Sequence, residues 1–304
     1  MTRFLVTGAY GCIGAWVVHE LVQRGHDVVT FDLASGGGRL RLLLDDAVVD
    51  SIPHVAGDIG DLETVERALD THGITNVVHL AALQVPFCRA DPPLGARVNV
   101  VGTVNVFEAA KRRGLGHVVY ASSIAALDGD GGTVGTPSTI YGVYKRANEG
   151  TAAIYHAESG VSSIGLRPHT VYGVGRDQGL TSAPTAAMLA AAAGVPYTIP
   201  YGGSAQLQLA ADAARAFVEA SLLAYAGASV HNLPGPVVSV AEIVAAIGAD
   251  GIAAEGDPLP FPASVDSSSL DELLPDLRAT PLEDGVRATV ERFRTLLQEG
   301  KVTV

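Results

Sequence analysis

What this chain lacks narrows it first. It has only two cysteines in 304 residues, Cys12 and Cys88. Two thiols cannot make a disulfide framework. No Cys–His motif surrounds either, so both read as packed thiols rather than nucleophiles. No apolar run is long and uninterrupted enough to cross a bilayer; the Ala-rich SAPTAAMLAAAAGVPYTIP holds prolines and suits a buried helix. The opening MTRFLVTG passes at once into a strand and leaves no room for a signal peptide. A cytoplasmic setting is the default expectation. Basic clusters are missing as well. The formal net charge is −12 and the sequence pI is about 5.1, which repels nucleic acid and anionic membranes. KRRG at 111–114 suits a solvated helix end. The nine histidines show no metal-ligand spacing, so no metal site is expected. His79, inside an apolar strand, reads as a packed core residue.

What is present is alternation. RFLVTG, DVVTFDL, HVAGDI, NVVHLAA and HVVYASS are short apolar runs; CIGAWVVHELVQRG, DLETVERALDTHG and PLGARVNVVGTVNVFEAAKRRG have helical spacing. Such alternation predicts βαβ units: an α/β chain with a buried, doubly wound parallel sheet and right-handed crossovers. After residue 160 the pattern loosens. SSIGLRPHTVYG reads as a strand, GVGRDQG as a Gly-rich loop, and helices follow near 181–194 and 210–225. The expected division is a dinucleotide-binding domain over 1–165 and a smaller substrate-binding lobe over 166–304, with segments near 205–225 returning to the first domain. ASGGGRLRLLLDD (34–46) reads as a flexible surface loop.

VTGAYGCIG spaces Gly8, Gly11 and Gly14 directly between a strand and a helix. Glycines let the backbone turn tightly and approach a pyrophosphate, and the helix N-terminus offers free N–H groups. Asp32 ends the next strand, where a carboxylate can accept from both ribose hydroxyls. Its charge would repel a 2′-phosphate, which favours NAD over NADP, although Arg39 and Arg41 nearby leave NADP open. Asp58, in AGDIGD, follows the third strand, where adenine would lie. It competes with Asp61 for the N-cap of the next helix.

The fifth strand ends in YASS at the carboxyl edge of the sheet, so Ser122 and Ser123 can reach a substrate. Tyr141 and Lys145, four residues apart, share one helix face; Tyr144 points about a quarter turn away from Lys145. Helical spacing therefore pairs Tyr141 with Lys145. A phenol titrates near ~10 in water, and a nearby ammonium lowers that value. The tyrosine can then take a proton from an alcohol while hydride leaves, and a serine hydroxyl can hold the same oxygen.

In this order TGAYGCIG, VVHLAA, VNVVGTVNVFEAAKRRG, VVYASS, YGVYK, LRPHTVYGVG and TPLEDGVRATVERFR resemble the extended short-chain dehydrogenase/reductase family, also called NAD-dependent epimerases/dehydratases. The resemblance spans essentially the whole chain. It implies a Rossmann-type sheet with a smaller C-terminal substrate-binding lobe. It implies that Gly8, Gly11 and Gly14 hold the NAD pyrophosphate, with Tyr10, Cys12 and Ile13 of the same loop also at the cofactor. Asp32 would hold the adenosine ribose, Asp58 and Ile59 flank adenine, and Leu80, Ala81 and Ala82 line the cofactor. Asn99 matches an asparagine behind the active site, or equally a satisfied buried amide. Ser123 matches the catalytic Ser/Thr, with Ser122 one residue short. Tyr141 and Lys145 match the catalytic pair that also touches the cofactor. A homodimer would pair the helices near 91–113 and 140–159.

The departures bear on substrate. Members acting on sugar nucleotides usually read R-x-F-N-x-Y-G, and here Thr170 replaces the asparagine. Ala205 and Gln206 stand where an arginine usually precedes the next strand, while Asp212 keeps the later match. These losses weaken the fit to a UDP- or dTDP-sugar and favour a smaller sugar-like substrate. Arg176 could instead receive a carboxylate or phosphate as a fork, or anchor its loop to Asp177. Ile124 and Ala125 stand where dehydratases carry an acidic pair, which argues against dehydration. Gln84 and Cys88 lie on a loop expected to face the substrate. His169 follows a strand end near the site, in contact with substrate or in a structural role. The expected function is an NAD-dependent oxidoreductase acting on a secondary alcohol of a sugar or sugar-acid-like substrate, a dehydrogenase in preference to an epimerase. The alternative of another class is an NAD-sensing binding protein without turnover, and the intact Ser/Tyr/Lys set speaks against it.

Overall fold

The computed structural model describes residues 2–133, 135–259 and 261–304. The first half alternates as β1 (Arg3–Thr7), α1 (Cys12–Gln23), β2 (Asp27–Asp32), α2 (Asp46–Ser51), β3 (His54–Ala56), α3 (Leu62–His72), β4 (Asn76–His79), α4 (Val85–Ala90), α5 (Pro92–Ala96), α6 (Gly102–Arg113), β5 (His117–Ala121), α7 (Ile140–Ser159) and β6 (Ser162–Arg167). A π-helical turn, Arg97–Val101, joins α5 to α6. The second half holds β7 (Thr170–Tyr172), α8 (Ala183–Ala193), β8 (Tyr197–Ile199), β9 (Ser204–Leu209), α9 (Ala210–Leu222), β10 (Ala228–Asn232), β11 (Val237–Ser239), α10 (Val240–Ile247), β12 (Ile252–Ala254), α11 (Ser268–Leu273) and α12 (Leu282–Gln298).

Among the described residues seven strands form one parallel sheet, in the order β10-β6-β5-β4-β1-β2-β3. The strand order reverses between β1 and β4, the kind of crevice where open α/β sheets bind ligands. Side chains alternate across β1. Phe4 and Val6 join Val17, Leu21 and Phe217 on the face covered by α1 and α9. Leu5 joins Phe31, Phe107 and Tyr120 on the face covered by α3, α6 and α7. Burial on both faces explains why the strands read as near-continuous apolar runs.

Two sequence expectations are corrected here. SSIGLRPHTVYG is not one strand. Pro168 has no N–H to donate to a ladder, and the chain breaks there: β6 stays in the large sheet, while β7 pairs with β9 in a separate three-stranded sheet. Residues 34–46 are not a flexible surface loop. They fold through a 3-10 turn, Gly38–Leu42, that buries Leu40 completely and Leu44 nearly so against the α1 face. Apolar burial at two leucines outweighs the entropy of the preceding glycines. α9 packs on α1, and β10 adds an edge strand beside β6. Among the described residues no helix is long and apolar enough to cross a membrane.

Candidate active site

The crevice begins where β1 ends. Gly8 has φ +66°, and a Cβ there would lie 2.6 Å from the Ala81 backbone N. Only glycine lets the two strand ends approach this closely. α1 then starts at Gly11 with no side-chain cap and no acid in its first turn, leaving free N–H groups and the positive end of its dipole at the crevice. Asp32 Oδ2 accepts from Tyr10 N at 2.9 Å, and its Oδ1 accepts from Ala34 N at 3.0 Å; each oxygen keeps a lone pair for a further donor. Gly8, Tyr10, Gly11, Cys12, Asp32, Asp58, Ile59, Leu80, Ala81 and Ala82 line one cleft of about 370 Å³. Asp58 accepts from Gly60 N and pairs with Arg97, while Asp61 caps α3. The glycine cradle, the uncapped helix and the free lone pairs of Asp32 fit a dinucleotide. Neither nearby arginine is left for a 2′-phosphate: Arg39 pairs with Asp177, and Arg41 pairs with Asp46 and Asp50.

A second cavity of about 230 Å³ continues from this cleft, sharing Gly8, Gly11, Cys12, Leu80, Ala82, Gln84 and Arg176 with it, and taking in Ile13, Gly14, Ser123, Tyr141 and Lys145. Ser123 Oγ accepts from Ala125 N at 3.1 Å in the turn after β5. Thr139 caps α7 through Gly142 N at 3.0 Å, which places Tyr141 in the first helical turn. Gly142 is required there, because a Cβ would stand 2.0 Å from Ala125 O and push α7 off the Ser123 turn. Lys145 is buried, donates to Ala121 O at 2.7 Å and lies 5.6 Å from the Tyr141 ring centroid. Tyr144 instead donates its hydroxyl to Pro92 O at 2.9 Å. Of the two tyrosines, only Tyr141 lines the cavity.

Burial pushes the Tyr141 phenol up to about 12, against the opposing pull of the hydrogen-bonded Ser123 hydroxyl and the Arg176 charge. Lys145 is itself pushed down to about 8 by burial, against the opposing pull of Cys88 and Glu149. Taking an ammonium out of water costs more than one carbonyl partner returns.

Residues 4–230 match the NAD dependent epimerase/dehydratase family. The chain is 30% identical over 320 residues to a UDP-glucose 4-epimerase of Mycolicibacterium smegmatis, an alignment covering 97% of this chain and 100% of that one. This chain belongs to the NAD-dependent epimerase/dehydratase family. Its members are NAD-dependent enzymes of the extended short-chain dehydrogenase/reductase class. Its fold is close to that of the Thermus thermophilus UDP-glucose 4-epimerase in complex with NAD, with 26% identity, a TM-score of 0.81 and coverage of 96% and 99%. It is equally close to an L-threonine dehydrogenase from Cupriavidus necator, with 25% identity, a TM-score of 0.80 and coverage of 95% and 99%. The chain spans about half the length of several other curated relatives it matches.

Against that family pattern, several residues singled out from the sequence are committed elsewhere. Ser122 lines the substrate-side cavity but is buried, and its hydroxyl donates to Glu149, which pairs with Arg167 at 2.7 Å. Asn99 is a satisfied amide outside both cavities, with Oδ1 accepting from Leu83 N at 2.7 Å and Nδ2 donating to Leu83 O at 3.0 Å. Cys88 is buried beside it, outside both cavities, its thiol pushed up by burial. Cys12 lines the cleft, with its thiol pushed up to about 11 by burial. His169 lines the substrate-side cavity, but its ring is tied to Pro262 O at 2.8 Å and Thr170 Oγ1 at 3.2 Å, and burial pushes its imidazole below the usual value. His79 is core, held between Thr7 and Thr103 and pushed down to about 3 by burial. Gln84 and Arg176 line both cavities. Leu180, Thr181 and Phe261 also line the substrate side. They carry no local motif; the lobe brings them there.

Proposed function

We propose that this enzyme oxidises a secondary alcohol of a small sugar or sugar-acid-like substrate and releases the product as a dehydrogenase. The observation that carries this reading is the meeting of Ser123, Tyr141 and Lys145, from β5 and α7, in a cavity continuous with the Gly8–Asp32 cleft. In this reading Gly8 and the start of α1 hold the pyrophosphate, Asp32 the adenosine ribose, and Leu80–Ala82 the wall beside the cofactor. Bound NAD supplies the hydride acceptor and, in its oxidised form, a positive charge that favours the phenolate. Tyr141 Oη takes the hydroxyl proton and Ser123 holds the same oxygen as it becomes a carbonyl. Lys145 keeps a cation under the phenol and a hydrogen bond to β5.

The lobe side supports a small substrate. The space reached past Thr181 and Phe261 towards Tyr201 and Val238 is about 30 Å³, room for a water or two rather than a nucleoside diphosphate. Gln206, at the position that matches the family's arginine, is buried and donates to Leu233 O, so it brings no cation to a diphosphate. The full-length similarity to the M. smegmatis enzyme supports a second reading, an epimerase that returns hydride to the other face of its substrate and keeps its cofactor. A homodimer also fits, because Leu94, Val101, Val143 and Ile154 are exposed along α5, the π turn and α7; sedimentation would test it.

The deciding experiment is to purify the protein, assay retained NAD, and supply sugars, sugar acids and UDP-sugars. Net NADH supports the dehydrogenase and sinks the epimerase. Isomerised product without NADH does the reverse. Tight NAD binding with no turnover on any substrate would favour a cofactor sensor.

A further inference from the structure

Glu149 takes no part in the chemistry described above, yet it stands directly behind it. Tyr141, Lys145 and Glu149 are spaced four apart along α7 and share one helix face. The Glu149 side chain is 12% exposed and that of Arg167 is 10% exposed. Arg167, at the end of β6, forks onto the carboxylate: Nε donates to Oε1 at 2.7 Å and Nη2 to Oε2 at 2.7 Å. Neither residue lines the cofactor-side cleft or the substrate-side cavity. An ion pair so far withdrawn from water adds little stability by itself.

Its contacts fall on the reacting residues instead. Lys145 Nζ donates to Ala121 O at 2.7 Å, and the Ser122 hydroxyl donates to Glu149. Two side chains one helical turn apart thus tie two consecutive residues of β5 to α7, immediately before Ser123. The surroundings of the Lys145 amine are short of negative charge. Burial pushes it down, and the Cys88 thiol and Glu149 pull it back up. Cys88 on α4 is itself pushed up by burial, as are Tyr141 and, beside the Glu149–Arg167 pair, Tyr120 on β5. His79 on β4 is pushed down to about 3. Near pH 7 all four are therefore neutral. The remaining charges are cations, Arg167 facing Glu149 and Arg176 facing Tyr141. Among the described residues this leaves Glu149 as the anion acting on Lys145.

We infer that Glu149, oriented by Arg167, is a positioning residue that keeps Lys145 charged beneath Tyr141 and fixes the strand end carrying Ser123. This rests on reading Tyr141 and Lys145 as the reacting pair, but its first test needs no turnover. The chain has three lysines, Lys111, Lys145 and Lys301, so carbon-13 lysine labelling of the whole protein gives three side-chain signals to titrate by NMR. The one with a midpoint near 8 should vanish in Lys145→Met. Glu149→Gln keeps an acceptor for Ser122 and removes the charge; pairing it with Arg167→Met leaves no charge stranded, so the double variant should fold. In that variant the Lys145 midpoint should fall by about one pH unit. The alkaline limb of turnover should fall with it, leaving turnover about threefold lower at pH 7.5 and unchanged near pH 6. Glu149→Asp, which keeps the charge, should restore both. A merely structural role predicts instead that the double variant regains the unaltered midpoint and pH profile along with its stability, and that result would overturn the inference. An unmoved Lys145 midpoint would overturn it whether or not a substrate is found. A midpoint that falls as expected while no substrate is turned over upholds the Glu149 assignment and counts against the proposed function alone.

Discussion

Lys145 should make this protein less stable than it could be. The side chain is 3% exposed, and burial pushes its amine from 10.5 down to about 8. At pH 7 the folded chain nevertheless carries the charge, at a cost of about 3 kcal/mol relative to the unfolded chain. Replacing Lys145 by Met removes that cost and fills a similar volume, but leaves Ala121 O without its donor, which takes back about 1–2 kcal/mol. The expected net result is a gain of about 1–2 kcal/mol at pH 7, together with loss of turnover. The pH dependence carries a sign. Because the folded value is the lower one, the unfolded chain binds the extra proton between about pH 8 and 10, so wild-type stability rises with pH through that window; below about 8 the full penalty is present. The Met variant should lack that rise. Urea unfolding at pH 7 and pH 9.5 would read both effects. A Met variant that is less stable at pH 7, or that keeps the wild-type rise, refutes this account of the site.

Other expectations follow from the same geometry. Tyr141→Phe should lower turnover by roughly 10²- to 10⁴-fold with NAD affinity retained; unchanged turnover would rule out Tyr141 as the proton acceptor. Gly142→Ala sets a Cβ 2.0 Å from Ala125 O, so α7 must shift away from Ser123. Turnover should fall well before NAD binding does, and an active Ala variant would contradict the close approach. Glu149→Gln leaves Arg167 as a buried, unpaired charge, which should cost about 3–5 kcal/mol in a denaturant melt. A loss under about 1 kcal/mol would mean that water reaches the pair.

Some of the site could be read directly because it is local. The Gly8–Gly14 turn, Asp32 at the end of its strand and the spacing of Tyr141 to Lys145 are each set by a few consecutive residues and one backbone period. The choice of Tyr141 over Tyr144 needed only the helix pitch. The error at 34–46 came from composition: three consecutive glycines signal a loop, and the burial of Leu40 and Leu44 that overrides them depends on α1 lying beneath. The burial that pushes the Lys145 amine down and the Tyr141 phenol up was not legible, because spacing along a helix says nothing of how dry the cavity is.

By itself, then, the sequence determined the alternating sheet, the glycine crevice and the shared helix face of Tyr141 and Lys145, since periodicity and turn chemistry are written in neighbouring residues. The tertiary structure decided which polar groups remain free. Asp177 meets Arg39 across 138 residues and Val174 meets Trp16 across 158, and the loop they pin carries Arg176 at the cleft. The Ser122 hydroxyl likewise finds its partner, Glu149, on a different element. A side chain's partner is fixed by packing between elements, and no local pattern carries that information.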